Sequence, residues 1–358
     1  MHFGLTEEQK LLQETVRSFV ATECPAPRVR ELFESGTGFD PALWKGLSEM
    51  GISGLVVPEV YGGAGLELLE LALVAEQLGA GVLAAPLLGH SLASLALVLA
   101  GSPAQKERWL PALASGTTHG SVALAEEGDV WEPDGWTLRV DGGRLRGVKR
   151  HVPGGADAEL LVVGTAGGGL ALVQRGAGVR VEPEPGLDRT RPLATLHFEG
   201  ASCEPLPEGA AASGRLRDAG LAVLAADAFG AAWRLVQMTV EYAKSRQQFG
   251  QPIAQFQAVK HQLADMATSI EPARGLFWYA AHAWDHLPDE APRAAAVAKH
   301  HLTERAAEIA RAAVELHGGL GFTWECDVHI WMKRVLFDRA FLGAPAHHRA
   351  RSAALGGW

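Results

Sequence analysis

Residues 245–266 read SRQQFGQPIAQFQAVKHQLADM and follow a long apolar segment that we predict to be a helix from Leu216 to Arg246. A turn at Gly250-Gln251-Pro252 would then bring a guanidinium, the ring of Phe249 and a flexible backbone to one place. A guanidinium binds a pyrophosphate through two parallel hydrogen bonds, and glycine lets the backbone approach a ligand without a Cβ. The alternative is an ordinary helix C-terminus at which Arg246 only complements the helix dipole.

A second segment, VELHGGLGFTWECDVHIW, covers residues 314–331. A predicted helix ends there at the glycines Gly318, Gly319 and Gly321. Adjacent glycines permit positive φ and a close approach of the backbone to a ligand. On its own this pattern is equally typical of a helix that stops at glycine.

Composition limits the classes of function. The chain has 358 residues, 47% hydrophobic and 20% charged, with a formal net charge of −9. This length favours two or three domains, and the acidity argues against nucleic-acid partners or an anionic membrane surface. Cys24, Cys203 and Cys326 are far apart, so neither a disulfide framework nor a metal site is expected, and a reducing cytoplasm fits.

The order of elements is predicted as helices, strands, helices. Thr6 and Gln9 form a capping box that begins a helix, and helical patterns continue to about Ser115. Short alternating runs follow, including a hairpin that turns at Asp141-Gly142-Gly143. The final helices are predicted at roughly 216–246, 256–286, 291–317 and 328–342. No charge-free apolar run of about 18 residues is present, so no membrane span is expected.

Taken in this order, the RxxFG-containing segment and the HGGxG segment resemble the acyl-CoA dehydrogenase family. The opening helix LTEEQKLLQETVRSFV, the loop MGISGLVVPEVYGGAG and the pair of predicted strands in GGRLRGVKRHVPGGADAELLVV also resemble that family. The resemblance implies a mostly α fold with a small β domain. Its segments would be an N-terminal helical domain (1–118), a shortened middle β-barrel or sandwich (119–208) and a C-terminal four-helix bundle (209–358).

The resemblance also implies FAD bound across a subunit interface. One subunit's β domain would face the flavin ring, and the other subunit's bundle would hold the adenosine-pyrophosphate end. By matching position, the residues implied for that second role are Arg246, Phe249, Gly250, Gln257, Glu315, Gly318 and Gly319. Glu315 stands where the family commonly has Gln, and a carboxylate repels a pyrophosphate.

The position of the catalytic base departs from the family. A carboxylate, usually Glu, is expected before the glycine that follows the last long helix, and Leu342 stands there. The position used by other members, early on the first bundle helix, falls near Gly220. Asp227 is either a substitute base or a polar residue that faces a neighbouring helix.

The middle domain is also altered. The loop of residues 125–134, AEEGDVWEPD, is short, and RHVPGG at 150–155 lacks the aromatic-x-Thr pair that usually abuts the flavin. His151 is interpreted either as a flavin contact or as a surface-loop residue. These departures, with the C-terminal LGAPAHHRARSAALGG, resemble the smaller, non-catalytic subunit of bacterial heteromeric acyl-CoA dehydrogenases that act on steroid side-chain CoA esters.

Two hypotheses follow. The chain contributes to FAD-dependent α,β-dehydrogenation of an acyl-CoA together with a homologous catalytic subunit in an α2β2-type complex, with an electron-transfer flavoprotein as acceptor. Alternatively it is a flavin-free structural or regulatory homologue. A flavin hydroxylase or an enzyme resembling nitroalkane oxidase is a third possibility within the family.

Overall fold

The computed structural model describes residues 4–358. Contacts divide the chain into two compact units. We call residues 4–31, 72–83 and 221–358 the helical unit, and residues 32–71 and 84–220 the mixed unit.

The first part of the chain is helical. The helices are Glu7–Glu23 (α1), Ala26–Ser35 (α2), Pro41–Glu49 (α3), Leu68–Gly81 (α4), Leu87–Ala100 (α5) and Pro103–Ala114 (α6). The predicted capping box is present, since the Thr6 side chain accepts from the Gln9 N–H and the Gln9 side chain accepts from the Thr6 N–H. Ser102 and Gln105 repeat this arrangement before α6. Local side-chain caps thus fix where these helices begin.

Two sheets follow within the mixed unit. The strands are Gly120–Ala123 (β1), Val140–Asp141 (β2), Arg144–Pro153 (β3), Leu160–Thr165 (β4), Gly169–Gln174 (β5), Val179–Glu184 (β6), Leu193–Ser202 (β7) and Glu204–Pro205 (β8). One sheet has the order β1-β4-β5-β8 and the other β2-β3-β7-β6. The predicted hairpin is confirmed, because Asp141 pairs with Arg144 around Gly142 and Gly143. Apolar side chains from both sheets, Leu145 and Leu161 among them, form one core.

The last part of the chain is helical again. Its elements are Gly209–Ser245 (α7), Gln247–Gln248 (β9), Gln251–Pro252 (β10), Gln257–Ile270 (α8), Arg274–His286 (α9), Ala291–Leu316 (α10), Val328–Ala340 (α11) and Pro345–Leu355 (α12). The element order and the helical C-terminal part confirm the predicted fold class, while the exact domain boundaries stay a prediction.

Three details of the sequence-based prediction were wrong. The segment predicted as one helix over 256–286 is two helices, because Pro272 lies in a 3-10 turn between them and proline cannot donate a backbone hydrogen bond. Helix α12 was not predicted, although Pro345 occupies its first turn, where proline is favoured. Strand β6 was also missed.

Helix α7 bears on the expectation that no membrane span is present. By length and composition it could cross a membrane, yet 89% of its most apolar window is buried inside the protein. The sequence criterion was a run of about 18 apolar residues without a charge. Helix α7 does not meet this criterion, because Asp227 and Arg234 lie among its apolar residues. Helices of soluble cores share this composition.

Candidate functional site

The chain turns through a tight hairpin directly after α7. Gln248 of β9 pairs with Gln251 of β10, which leaves Phe249 and Gly250 at the tip. Both tip residues have positive φ, 53° and 80°, as a two-residue type I′ turn requires. The turn predicted at Gly250-Gln251-Pro252 is therefore shifted by one residue towards the N-terminus.

Phe249 has an unusual conformation and unusual exposure. A bulky residue in the left-handed region is strained, and the Phe249 side chain is 92% exposed. Its ring meets that of Phe256 edge-on, with centroids 6.1 Å apart. Phe256 directly precedes Gln257, the first residue of α8. The hairpin tip and the beginning of α8 thus form one surface.

Arg246 is held by its backbone and free at its side chain. Its N–H donates to the Tyr242 carbonyl at 2.8 Å, and its carbonyl accepts from the Ile253 N–H at 2.8 Å. The guanidinium is exposed and makes no hydrogen bond or ion pair with any residue between 4 and 358. Its donors are therefore not used within the described part of the chain.

An aromatic stack joins this region to the glycine turn. The Tyr242 ring stacks on buried His317 with centroids 4.3 Å apart and planes at 23°, and the Tyr242 hydroxyl donates to the His317 carbonyl at 3.3 Å. His317 Nδ1–H donates to the Ala313 carbonyl at 2.7 Å, and burial lowers the pKa of His317. Since Tyr242 precedes Arg246 by one helical turn and His317 precedes Gly318, the two segments lie side by side.

The three glycines of the turn differ in their surroundings. A Cβ added at Gly318 or Gly319 would meet nothing within 4 Å, whereas one at Gly321 would lie 2.4 Å from the Val314 carbonyl oxygen. Gly318 also has a φ of 63°, which disfavours other residues. Gly321 is therefore required for packing, and Gly319 faces open space.

Glu315 lines a cavity of about 420 Å³ beside this turn. Phe322 and Trp324 line the same cavity and are 77% and 59% exposed. Lys333 lies 4.5 Å from the centre of the Trp324 ring. The cavity therefore combines aromatic surface with the acidic Glu315 and the basic Arg311 and Lys333.

The positions considered for a catalytic base hold no available carboxylate. Leu342 is buried, and its carbonyl accepts from His348 Nε2–H at 2.7 Å. Gly220 is buried within α7. Asp227 is 1% exposed, and its two oxygens accept from Arg334 at 2.8 and 2.9 Å. This ion pair agrees with the interpretation of Asp227 as a polar residue that faces a neighbouring helix.

Position also separates Asp227 from the hairpin. It lies 18 residues before the end of α7 at Ser245, about 27 Å along a helix with a rise of 1.5 Å per residue. The hairpin therefore follows the C-terminal end of α7, whereas Asp227 lies at the middle of that helix.

His151 is not in a surface loop, as one interpretation had it, but in strand β3. It lies at an irregularity in the pairing with β7 and has a φ of 54°. Its Nδ1 is 2.6 Å from a Glu184 carboxylate oxygen and its Nε2 is 3.0 Å from one of Asp129. The ring stacks on Trp131 with centroids 5.9 Å apart. Both nitrogens are thus engaged by carboxylates within the mixed unit.

The short loop at 125–134 contains a buried ion pair that sequence reasoning missed. Lys149 is fully buried and donates to Glu126 at 2.8 Å. Burial alone would raise the pKa of Glu126, but hydrogen bonds from Lys149, Thr137 and Leu138 outweigh it and lower this pKa to about 2. Burial lowers the pKa of Lys149 to about 8. The pair is ionised at neutral pH and fixes the loop against β3.

Two further site features were also missed. The Tyr242–His317 stack links segments about seventy residues apart, and the only sequence signal was a tyrosine one turn before Arg246. The exposed Trp324 follows the glycine turn directly, and its unusual exposure cannot be deduced from sequence.

Comparison with known proteins identifies the family to which the chain belongs. The model of the acyl-CoA dehydrogenase N-terminal domain matches residues 6–117, and that of the C-terminal domain matches residues 214–355. Acyl-CoA dehydrogenase IpdE2 of Mycobacterium tuberculosis is 37% identical over 341 residues, covering 95% of this chain and 94% of that protein.

Two solved structures are similar to this chain over nearly its full length. A variant of the Tcur3481-Tcur3483 steroid ACAD has a TM-score of 0.90 and 32% identity over 98% of each chain. A glutaryl-CoA dehydrogenase from Mycobacterium smegmatis, in complex with FADH2, has a TM-score of 0.88 and 26% identity over 99% of this chain and 96% of that one. The two domain matches and the near full-length identity establish that the chain belongs to the acyl-CoA dehydrogenase family.

Proposed function

We propose that this chain takes part in FAD-dependent α,β-dehydrogenation of a CoA thioester as the subunit that holds the adenosine-pyrophosphate end of the cofactor. A homologous subunit would face the flavin ring and provide the catalytic base. The observation that carries the proposal is the meeting of Arg246, the Phe249 tip and the Gly318-Gly319 turn through the Tyr242–His317 stack.

The residues present fit one end of FAD. The exposed Arg246 guanidinium has the fork of donors that binds a pyrophosphate, and the exposed ring of Phe249 offers a face for an adenine. Space beside Gly319 admits a ligand close to the backbone. When bound, FAD would supply the hydride acceptor of the dehydrogenation.

The base positions support the division between two subunits. Leu342 cannot accept a proton, Gly220 has no side chain, and the carboxylate of Asp227 is committed to Arg334. His151 is committed to Glu184 and Asp129. This chain therefore binds and orients one end of the cofactor, and proton removal belongs to another chain.

The substrate class follows from similarity. The similarity to a steroid ACAD supports a steroid-derived CoA thioester as the substrate of the assembled enzyme. An electron-transfer flavoprotein is proposed as the acceptor. A cytoplasmic location fits the composition.

Co-expression tests the proposal. The chain would be purified alone and together with a homologous subunit that carries the Glu, and both preparations would be assayed with an acyl-CoA and an artificial electron acceptor. We expect activity only in the complex. Robust turnover by this chain alone would contradict the proposal, and an active complex with no flavin contact from this chain would favour the structural or regulatory role.

A further inference from the structure

A second cavity lies within the helical unit, away from the hairpin and the glycine turn. It has a volume of about 580 Å³ and is lined by residues of α1, α2, α4, α7, α9 and α11. Pockets for small organic ligands typically have about 300–1,000 Å³ with apolar walls and a few polar groups. This cavity has that size, and its lining combines apolar side chains with charged and amide groups.

Part of the wall is apolar and buried. Val20, Cys24 and Val29 line one side and are each less than 8% exposed, and Trp331 is 4% exposed. The half-buried Trp233 adds a second indole. Such walls favour a ligand with a flat apolar body.

Three of the helices that line the cavity are in close contact at glycines. A Cβ added at Gly81 would lie 2.1 Å from a Val20 methyl, and one added at Gly230 would lie 1.9 Å from the Glu76 carbonyl oxygen. Helix α4 is therefore in close contact with both α1 and α7. These contacts hold α1, α4 and α7 close together on one side of the cavity.

The charges at the cavity are unequal. Arg17, Arg234 and Arg274 line it, and Glu76 is its one carboxylate. Glu76 is 4% exposed and is satisfied within the protein, since it accepts from Arg274 and, at 2.8 Å, from Gln13. Glu14 pairs with Arg17 and Glu241 approaches Arg234 from outside the cavity, so the lining itself presents three guanidinium groups and one carboxylate, and guanidinium donors that face the cavity would favour an anion.

The arginines keep donors for that anion. Arg274 is hydrogen-bonded to Glu76 by one nitrogen and lies over the Phe229 ring at 4.4 Å. Arg17 donates to Gln77 at 3.3 Å and to Glu14 at 2.9 Å.

Arg234 is the least committed of the three arginines. Its nearest carboxylate is Glu241 at 3.8 Å, which is beyond hydrogen-bonding distance. Each guanidinium has five N–H donors, so all three have unused ones.

We propose that this cavity binds a small organic anion with a flat apolar body, whose carboxylate, sulfonate or phosphate group pairs with Arg234 and Arg274 while the body packs between Trp233 and Trp331. The proposal is independent of the function proposed above, because none of these residues belongs to the hairpin or the glycine turn.

Two matched probes test it by calorimetry on the full chain at low ionic strength. Naphthalene-2-carboxylate presents a flat body and an anionic group, and 2-naphthylmethanol has the same body without the charge. We expect saturable binding of one carboxylate per chain, with the alcohol at least about tenfold weaker, because charge-assisted hydrogen bonds are the stronger ones.

Two variants locate the site. Arg234→Gln is expected to weaken the carboxylate about tenfold and leave the alcohol unchanged. Ala21→Trp, at an exposed alanine that lines the cavity, should abolish binding of both probes. Arg108→Gln and Ala104→Trp, at exposed positions outside the cavity, are the controls, and circular dichroism verifies that all variants fold.

The binding measurements distinguish results that support the proposal from results that overturn it. Loss of binding in Ala21→Trp together with a selective loss of the carboxylate in Arg234→Gln supports the proposal. No saturable binding, equal affinity for the two probes, or binding unchanged by Ala21→Trp overturns it.

Discussion

At the scale of the residue, Arg246 has two interpretations with different consequences. A charge-assisted hydrogen bond contributes about 1.5–3 kcal/mol, so Arg246→Ala should weaken FAD binding by the assembled enzyme about tenfold to a hundredfold. Arg246→Lys should retain only part of the wild-type affinity for FAD, because an ammonium lacks the planar fork of donors. If Arg246 only complements the dipole of α7, flavin titration will give the wild-type affinity for all variants. Lys244→Ala, at an exposed cation in the last turn of α7, is the matched control and should bind FAD normally.

Gly319 and Gly321 form a natural pair for comparison. Gly319→Val meets open space within the chain, so it should keep the free energy of unfolding near wild type and yet reduce the flavin content of the complex. Gly321→Ala would clash with the Val314 carbonyl and should lower the free energy of unfolding. Absorbance near 450 nm and urea unfolding measure the two effects. Full flavin content in Gly319→Val would remove the turn from the cofactor site.

Glu315 is the residue whose charge opposes the proposed ligand. Replacing it by Gln removes a repulsion without changing its shape, so Glu315→Gln should tighten FAD binding by a few-fold at low salt. The gain should shrink as ionic strength rises, because screening weakens interactions between exposed charges. Flavin titrations of wild type and Glu315→Gln at two salt concentrations measure the gain in affinity and its decrease with ionic strength. An unchanged affinity at low salt would show that Glu315 points away from the pyrophosphate.

At the scale of the element, His90 ties α5 to its neighbours in the mixed unit. Its Nε2–H is 3.1 Å from the carbonyl oxygens of Ser53 and Leu113, and its Nδ1 accepts from the Gly120 N–H at 3.3 Å. The neutral ring thus donates a hydrogen bond through Nε2 and accepts one through Nδ1. Burial lowers the pKa of His90 from 6.5 to about 4.

This histidine makes stability depend on pH. The unfolded chain takes up the proton first, so the His90 contribution is fully present above about pH 6.5 and is lost as the pH falls towards 4. At about 1.36 kcal/mol per pH unit, the loss at pH 5 is about 2 kcal/mol. His90→Gln should be less stable than wild type at pH 7.5 and lose less on acidification, as urea unfolding at pH 7.5 and 5 would show. Parallel losses in both proteins would contradict this assignment.

Sequence alone predicts those elements that have local signals. The capping box at Thr6, the glycine turn of the β2–β3 hairpin and the long apolar α7 were all found in this way. Strand β6 was missed because Pro183 lies within it, and proline is tolerated only in an edge strand such as this one. The break before α9 was missed because apolar periodicity continues through Pro272.

The site could be predicted only in part, for a related reason. Arg246, Phe249 and the glycines were predicted as site residues from their motifs, and their role stays a prediction. The left-handed Phe249, the stack of Tyr242 on His317 and the pairing of Asp227 with Arg334 arise from tertiary contacts between segments far apart in sequence. Residue type and spacing along the chain do not predict such contacts.

At the scale of the whole molecule, our proposal assigns to the chain one half of a cofactor site. Cofactor-directed groups meet at the hairpin end of α7, whereas the base positions hold Leu342, Gly220 and an Asp227 committed to Arg334. The cavity between Trp233 and Trp331 is a separate feature of the helical unit. A homologous chain that carries a Glu would complete the catalytic site.

The central claim is that this chain holds the adenosine end of FAD for a partner. The most direct measurement is the number of flavins per chain in the purified complex with that partner, made with wild-type protein and with Arg246→Ala in this chain only. The account predicts two flavins for each α2β2 complex, a flavin-poor chain when purified alone, and loss of flavin from the Arg246→Ala complex on dilution. One flavin in every chain, or full retention by the Arg246→Ala complex, would contradict it.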